Sequence, residues 1–144
     1  PRNNSISERN NTYILQGTRT TLLQAGLPPA FWLVAAPAHC MFDNTEPRAD
    51  GLSPWYHTHG TEFSGYRFPF GCAVIYFPSK TKESGQTTKW ECTGNQGIFA
   101  GYHVGAGYTW SGQYLVWDLS EFDRADLAID HKKMPQELIV PSPR

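Results

Sequence analysis

The sequence predicts an α+β chain, helices first and a small β-barrel after them. Two observations carry that prediction. Only Tyr13, Phe31, Trp32 and Phe42 among the aromatic residues precede residue 50, whereas the others fall between Trp55 and Phe122. Apolar residues also recur at helical spacing in the first part and in short β-branched and aromatic runs in the second.

In chain order, Pro1-Arg-Asn-Asn-Ser5 is turn-like and supplies side chains suited to a helix N-cap. No proline interrupts Ile6 to Gln24, and Glu8, Leu15, Arg19 and Leu22 stack along one helical seam that Ile14 and Ala25 widen. Gly26 is placed to end that helix in a left-handed turn, and Pro28-Pro29 forbids its continuation. A second, apolar helix is expected from about Pro29 through Ala36, kinked or interrupted at Pro37, which has no amide donor. Residues 46–65, with Pro47, Gly51, Pro54, Gly60 and Gly65, read as a linker. Three strands are expected within 66–130: Cys72–Phe77, Gly97–His103 and Gln113–Asp118, punctuated by Gly105-Ala-Gly107 and Ser111-Gly112. The proline-bearing end, 131–144, reads as an irregular tail.

Composition narrows the function classes. The net charge is −1, with basic residues scattered along the chain, so composition alone nominates no nucleic-acid partner. The longest apolar stretch, Ala30 to Ala38, falls well short of the roughly 20 residues of a membrane span. Three widely spaced cysteines, Cys40, Cys72 and Cys92, point to a reducing, intracellular setting and to small buried side chains. The start at Pro1 suggests a piece of something longer.

Pro1-Arg-Asn-Asn-Ser-Ile-Ser-Glu-Arg-Asn-Asn11 resembles the start of the last catalytic helix of Copia-type retrotransposon integrases. The resemblance continues through Thr18-Arg-Thr-Thr-Leu-Leu-Gln-Ala-Gly-Leu-Pro28, the Phe31-Trp32 pair, Phe70-Gly-Cys72, Gly97-Ile-Phe-Ala-Gly-Tyr102 and Tyr114-Leu-Val-Trp-Asp118. These blocks keep the family's order over roughly residues 1 to 124. The resemblance implies that residues 1–45 are the helical C-terminal end of an RNase H-like integrase core and that 66–130 form the SH3-like β-barrel that follows it.

It further implies a strand transferase in which two aspartates and one glutamate hold a pair of Mg²⁺ or Mn²⁺ ions across a scissile phosphate. By position Glu8 matches the glutamate, as catalytic residue and metal ligand. Both aspartates would lie before residue 1, so the chain is expected to be catalytically incomplete and to bind no metal by itself. Thr12 stands where the family has an arginine, and the closing Arg-Asp-Val run is not recognisable. The implied partners are element and target DNA and other integrase subunits, in a nucleus or an intracellular virus-like particle and at no membrane.

Each candidate has an ordinary reading beside the functional one. Glu8 alone would be a carboxylate favoured by the helix dipole. Arg9 and Arg19 could meet phosphates or merely solvate a helix. Lys80, Lys82 and Lys89 are the best candidates of the second part for backbone phosphates, with the same alternative. His57-Thr-His59 lacks the paired spacing of a zinc site and reads as polar loop histidines. Trp90, Trp110, Trp117, Tyr102 and Tyr108 could line a peptide groove or stack bases. Tyr114 and Trp117 are expected to fill the barrel instead, and Tyr108 and Trp110 stay open. The competing functional class is a non-catalytic SH3-like module that binds nucleic acid or protein.

Overall fold

The computed structural model describes residues 4–77, 94–123 and 134–143. The chain is α+β and divides into two compact units, Pro1–Phe70 and Gly71–Arg144.

The first unit is helical. Helix α1 spans Ser5–Ala25, with Asn4 at its N-cap and no side-chain cap bond. Its stop is the one expected: Gly26 sits at φ 68°, its amide donates to Leu23 O at 3.2 Å and that of Leu27 to Leu22 O at 3.1 Å. This is a Schellman closure, which satisfies carbonyls that the helix end leaves open. A 3₁₀ turn, Pro29–Phe31, leads into α2, Trp32–Thr45. Pro37 lies inside α2, and the expected interruption does not occur. Leu33, whose carbonyl loses its amide partner, is exposed, as is Pro37, so water can meet the orphaned acceptor.

The stretch expected as linker holds a helix, α3, Pro54–His59. Ser53 caps it by accepting from the amide of Tyr56 at 3.0 Å, Pro54 occupies the first helical position, and Gly60 closes it at φ 75°. Ser53 is fully buried and also donates to Glu62 Oε2 at 2.6 Å. Phe31, Ala35, Ala38, Met41 and Trp55 form the core of this unit.

The second unit is a four-stranded antiparallel sheet in the order β1-β2-β3-β4: Ala73–Tyr76, Asn95–Gly105, Thr109–Asp118 and Glu137–Pro141. The three expected strands are present, and the long pair β2–β3 extends beyond the expected bounds. The fourth corrects the reading of 131–144 as irregular. Glu137 to Pro141 pair with Trp117 to Gln113, and the prolines fall at or outside the strand's ends, where no ladder amide is missed. A short helix, α4, Leu119–Phe122, follows β3.

Two irregularities in β2–β3, between Phe99 and Gly101 and between Tyr102 and Val104, curl the sheet. They also break the in–out alternation, so Phe99, Ala100, Gly101 and Tyr102 are all buried. Among the described strands β1 and β4 remain the two edges, and the sheet is open rather than a closed barrel. Phe99, Tyr114, Val116 and Trp117 are buried, as the packing reading of Tyr114 and Trp117 expects. Gly97 is obligatory there, since a Cβ would stand 2.6 Å from Val116 Cγ1 and 2.7 Å from Trp117 O.

Candidate functional site

Helix α1 carries the sequence-predicted residues of the first unit. Glu8 lies in its first turn, exposed, and its carboxylate makes no hydrogen bond or ion pair among the described residues. Successive residues of a helix advance by about 100°, which sets Glu8, Leu15 and Arg19 within about 40° of one another on one flank. Arg9 falls about 80° from Arg19, so the two arginines do not make one patch. Both are exposed. Thr12 donates its hydroxyl to Glu8 O at 2.9 Å, and Thr18, Thr20 and Thr21 likewise bond back four residues. Their hydroxyl hydrogens are used within the helix and are not offered to a ligand.

On another side α1 meets α2 in a polar cluster that no local pattern announces. A Cβ on Gly17 would stand 2.0 Å from His39 Nε2, so the imidazole occupies the notch that the glycine leaves. That nitrogen is buried with no hydrogen-bond partner among the described residues. Tyr13, 5.8 Å from the His39 ring, donates its hydroxyl to Asp43 Oδ1 at 2.7 Å, and Arg48 donates to Asp43 Oδ2 at 2.7 Å. Burial pushes the Asp43 carboxyl up, but the hydrogen bonds from Tyr13 and Arg48 outweigh it and hold the group below the usual carboxylate range. The Tyr13 phenol is pushed up in turn, because the hydrogen bond to Asp43 favours its neutral form. Cys40 is half-buried, and burial followed by the nearby Asp43 charge raises its thiol, which makes it a packing side chain and not a nucleophile. Cys72 is also half-buried and raised by burial, whereas Cys92 lies outside the described residues.

The third side of α1 is an open slot of about 370 Å³ between α1 and the Pro29–Ala36 stretch. Thr18 and Leu22 are its buried floor, Leu15 and Trp32 its half-exposed walls, and Asn11 and Arg19 its polar rim.

His57 and His59, expected in a loop, lie in the last turn of α3. His57 Nε2 faces Asp50 Oδ2 at 3.3 Å, and His59 stacks on Trp55 at 3.8 Å with its Nδ1 3.0 Å from Trp55 O. Among the described residues no three His, Cys, Asp or Glu side chains come together to hold a metal ion. Glu8 alone does not fit a two-ion centre.

In the sheet unit, Phe99, Tyr102, Tyr114 and Trp110 form a chain of ring contacts, with centroids 5.5 to 5.9 Å apart. The Trp110 indole donates to Gln113 O at 2.9 Å, so that donor is spent inside the β2–β3 turn and is not offered to a ligand carbonyl. Tyr108 is half-exposed at φ 58° in the same turn. Below it, Asp118 Oδ1 accepts from Ser120 N and Oγ at 2.8 and 2.6 Å, and Tyr76 donates to Oδ2. These bonds, those from Ser120 first, hold Asp118 below the usual carboxylate range. Lys80, Lys82, Lys89 and Trp90 lie outside the described residues.

Sequence reasoning found the α1 seam but missed Gly17–His39, Tyr13–Asp43–Arg48 and Ser53–Glu62. The only local signals were a glycine inside a helical run and a Ser-Pro pair before a short aromatic segment. No family model, curated protein or solved structure matches the chain.

Proposed function

We propose that the chain is the end of a Copia-type integrase core joined to an SH3-like module. On this reading the parent integrates element DNA, and this portion does not catalyse strand transfer by itself. The observation that carries the reading is Glu8, an exposed carboxylate without a partner among the described residues, in the first turn of a long helix. The Gly26 stop and the Phe31-Trp32 pair follow it in the family's order. The curled antiparallel sheet is compatible with a small SH3-like domain, which supports the second half. The RNase H-like assignment of the helices rests on the sequence blocks.

Glu8 would supply one carboxylate of a metal-binding triad whose other members lie upstream, and the bound ions would be Mg²⁺ or Mn²⁺. Arg9, Arg19, Lys80, Lys82 and Lys89 would meet DNA phosphates, other integrase subunits would complete the assembly, and the setting would be a nucleus or virus-like particle. Incubating the chain with a labelled DNA end and Mg²⁺ or Mn²⁺ is expected to give no joined product. Robust metal-dependent joining would overturn the claim that the catalytic centre is incomplete.

A further inference from the structure

We propose that Asp50 is a site of backbone isomerisation to isoaspartate, and that the hydrogen bonds of the turn before α3 hold this reaction off in the folded chain. The inference goes beyond the integrase reading and does not depend on it.

Asp50-Gly51 is the one Asp-Gly pair of the sequence. In such a pair the main-chain nitrogen of the glycine can attack the aspartate Cγ, because glycine has no side chain to shield it. The nitrogen gives up its proton, an N–Cγ bond forms, and a C–O bond of the protonated carboxyl breaks as water leaves. The succinimide ring so formed then takes water back. Where that water cleaves the bond from the nitrogen to the aspartate main-chain carbonyl carbon, the chain afterwards runs through Cβ and Cγ, and the former carbonyl becomes a free carboxylate. Water is the only co-reactant, and the mass is unchanged.

Access does not hold the reaction back. The Asp50 side chain is 54% exposed, and nothing lies within 4 Å of where a Cβ on Gly51 would stand. The restraint is in the bonding. The Arg48 amide donates to Leu52 O and the Gly51 amide to Arg48 O, both at 2.9 Å, which closes a tight turn. The attacking nitrogen is thus engaged through the proton it must lose, and Gly51 is fixed at φ 80°. Its target is engaged as well. Asp50 Oδ1 accepts from the Leu52 amide at 3.1 Å, and His57 Nε2 lies 3.3 Å from Oδ2. These bonds, that from Leu52 first, hold the carboxyl below the usual range and favour the carboxylate, from which no water can leave. Attack therefore needs the turn to open, and its rate follows that opening rather than the exposure of Asp50.

The product does not suit the turn. One more methylene in the main chain between Arg48 and Leu52 separates the partners of the two 2.9 Å bonds. Arg48 is anchored to Asp43 on one side and Ser53 caps α3 on the other, so the added length falls between two held points.

The full chain is incubated for weeks at neutral pH, folded in buffer and unfolded in guanidinium, beside a synthetic peptide of residues 46–55 in both solvents. Isoaspartate is measured by methylation with an isoaspartate-specific methyltransferase and placed by peptide mapping. The peptide and the unfolded chain are expected to gain isoaspartate at 50 at like rates, and the folded chain at a rate about tenfold lower. His57→Ala, at a side chain 57% exposed, should speed the folded chain severalfold and leave the unfolded rate unchanged. The proposal is overturned if the peptide forms no isoaspartate at 50, if folded chain and peptide react equally fast, or if His57→Ala leaves the folded rate where it was.

Discussion

Replacing Gly17 with alanine tests the tightest contact of the helical unit. Alanine is worth up to about 1 kcal/mol over glycine inside a helix. Here its methyl would enter the His39 ring, whose Nε2 stands 2.0 Å from the Cβ position. A net loss of roughly 1–3 kcal/mol is expected from urea denaturation, with much of it recovered in Gly17→Ala/His39→Ala. Tyr13 and Asp43 give a second residue-scale expectation. The Asp43 carboxyl is held low, so its contribution is present above the ordinary carboxylate range and is lost as pH falls through its depressed value. The Tyr13 phenol is raised, so its contribution is present below about pH 10 and is lost as pH rises through the raised value. Tyr13→Phe should cost about 1 kcal/mol at neutral pH and flatten the alkaline limb of a melting-temperature profile. An unchanged alkaline limb would argue against the Tyr13–Asp43 bond. None of this was legible from sequence, because Gly17 and His39, like Tyr13 and Asp43, meet only once two helices have packed.

At the scale of elements, local chemistry was a good guide where it terminates structure and a poor one where it interrupts it. Gly26 before Pro28-Pro29 was read correctly because a left-handed closure needs no tertiary help. At Pro37, read as a kink or an interruption, the helix is not interrupted, because the stranded Leu33 carbonyl lies among exposed residues. Helix α3 was missed although its signal was present: Ser53 as cap and Pro54 at the first position outweigh the glycine-rich context. Ser53→Ala should remove the cap and the hydroxyl bond to Glu62, which keeps the Ser53 amide, and a loss of about 1–2 kcal/mol in thermal or chemical unfolding is expected. A change within a few tenths of a kcal/mol would show that water replaces both bonds. Strand β4 was missed because three prolines within fourteen residues suggest an irregular tail, whereas an edge strand tolerates proline at its end, where Pro141 stands.

For the molecule as a whole, the aromatic partition predicted a helical part and a sheet part, and both are present, but the two compact units divide at Phe70 and Gly71, so that Trp55, Tyr56, Phe63, Tyr66, Phe68 and Phe70 belong to the helical one. The candidate site was only half legible. Glu8 and the α1 seam could be read from spacing, but the slot needed the second helix in place. Net charge bears on the DNA partner: at −1 the chain has no long-range attraction to a polyanion. Fluorescence anisotropy with duplex DNA should therefore give dissociation constants of roughly 10⁻⁴ to 10⁻⁶ M near physiological salt, weakening as salt rises. Arg9→Gln should lower the salt slope by about one if Arg9 meets a phosphate, and a slope unchanged by that substitution would remove Arg9 from the interface.

The notch at Gly17 and the stop at Gly26 also set a phase. They lie two and a half turns apart, so each residue inserted between them would swing one against the other by about 100° and displace it by about 1.5 Å. Insertions ahead of Gly17 leave that phase untouched. A scan of single-residue insertions along α1 should thus show tolerance up to residue 12, loss of the Tyr13–Asp43 bond between 13 and 16, and loss of folding between 17 and 26.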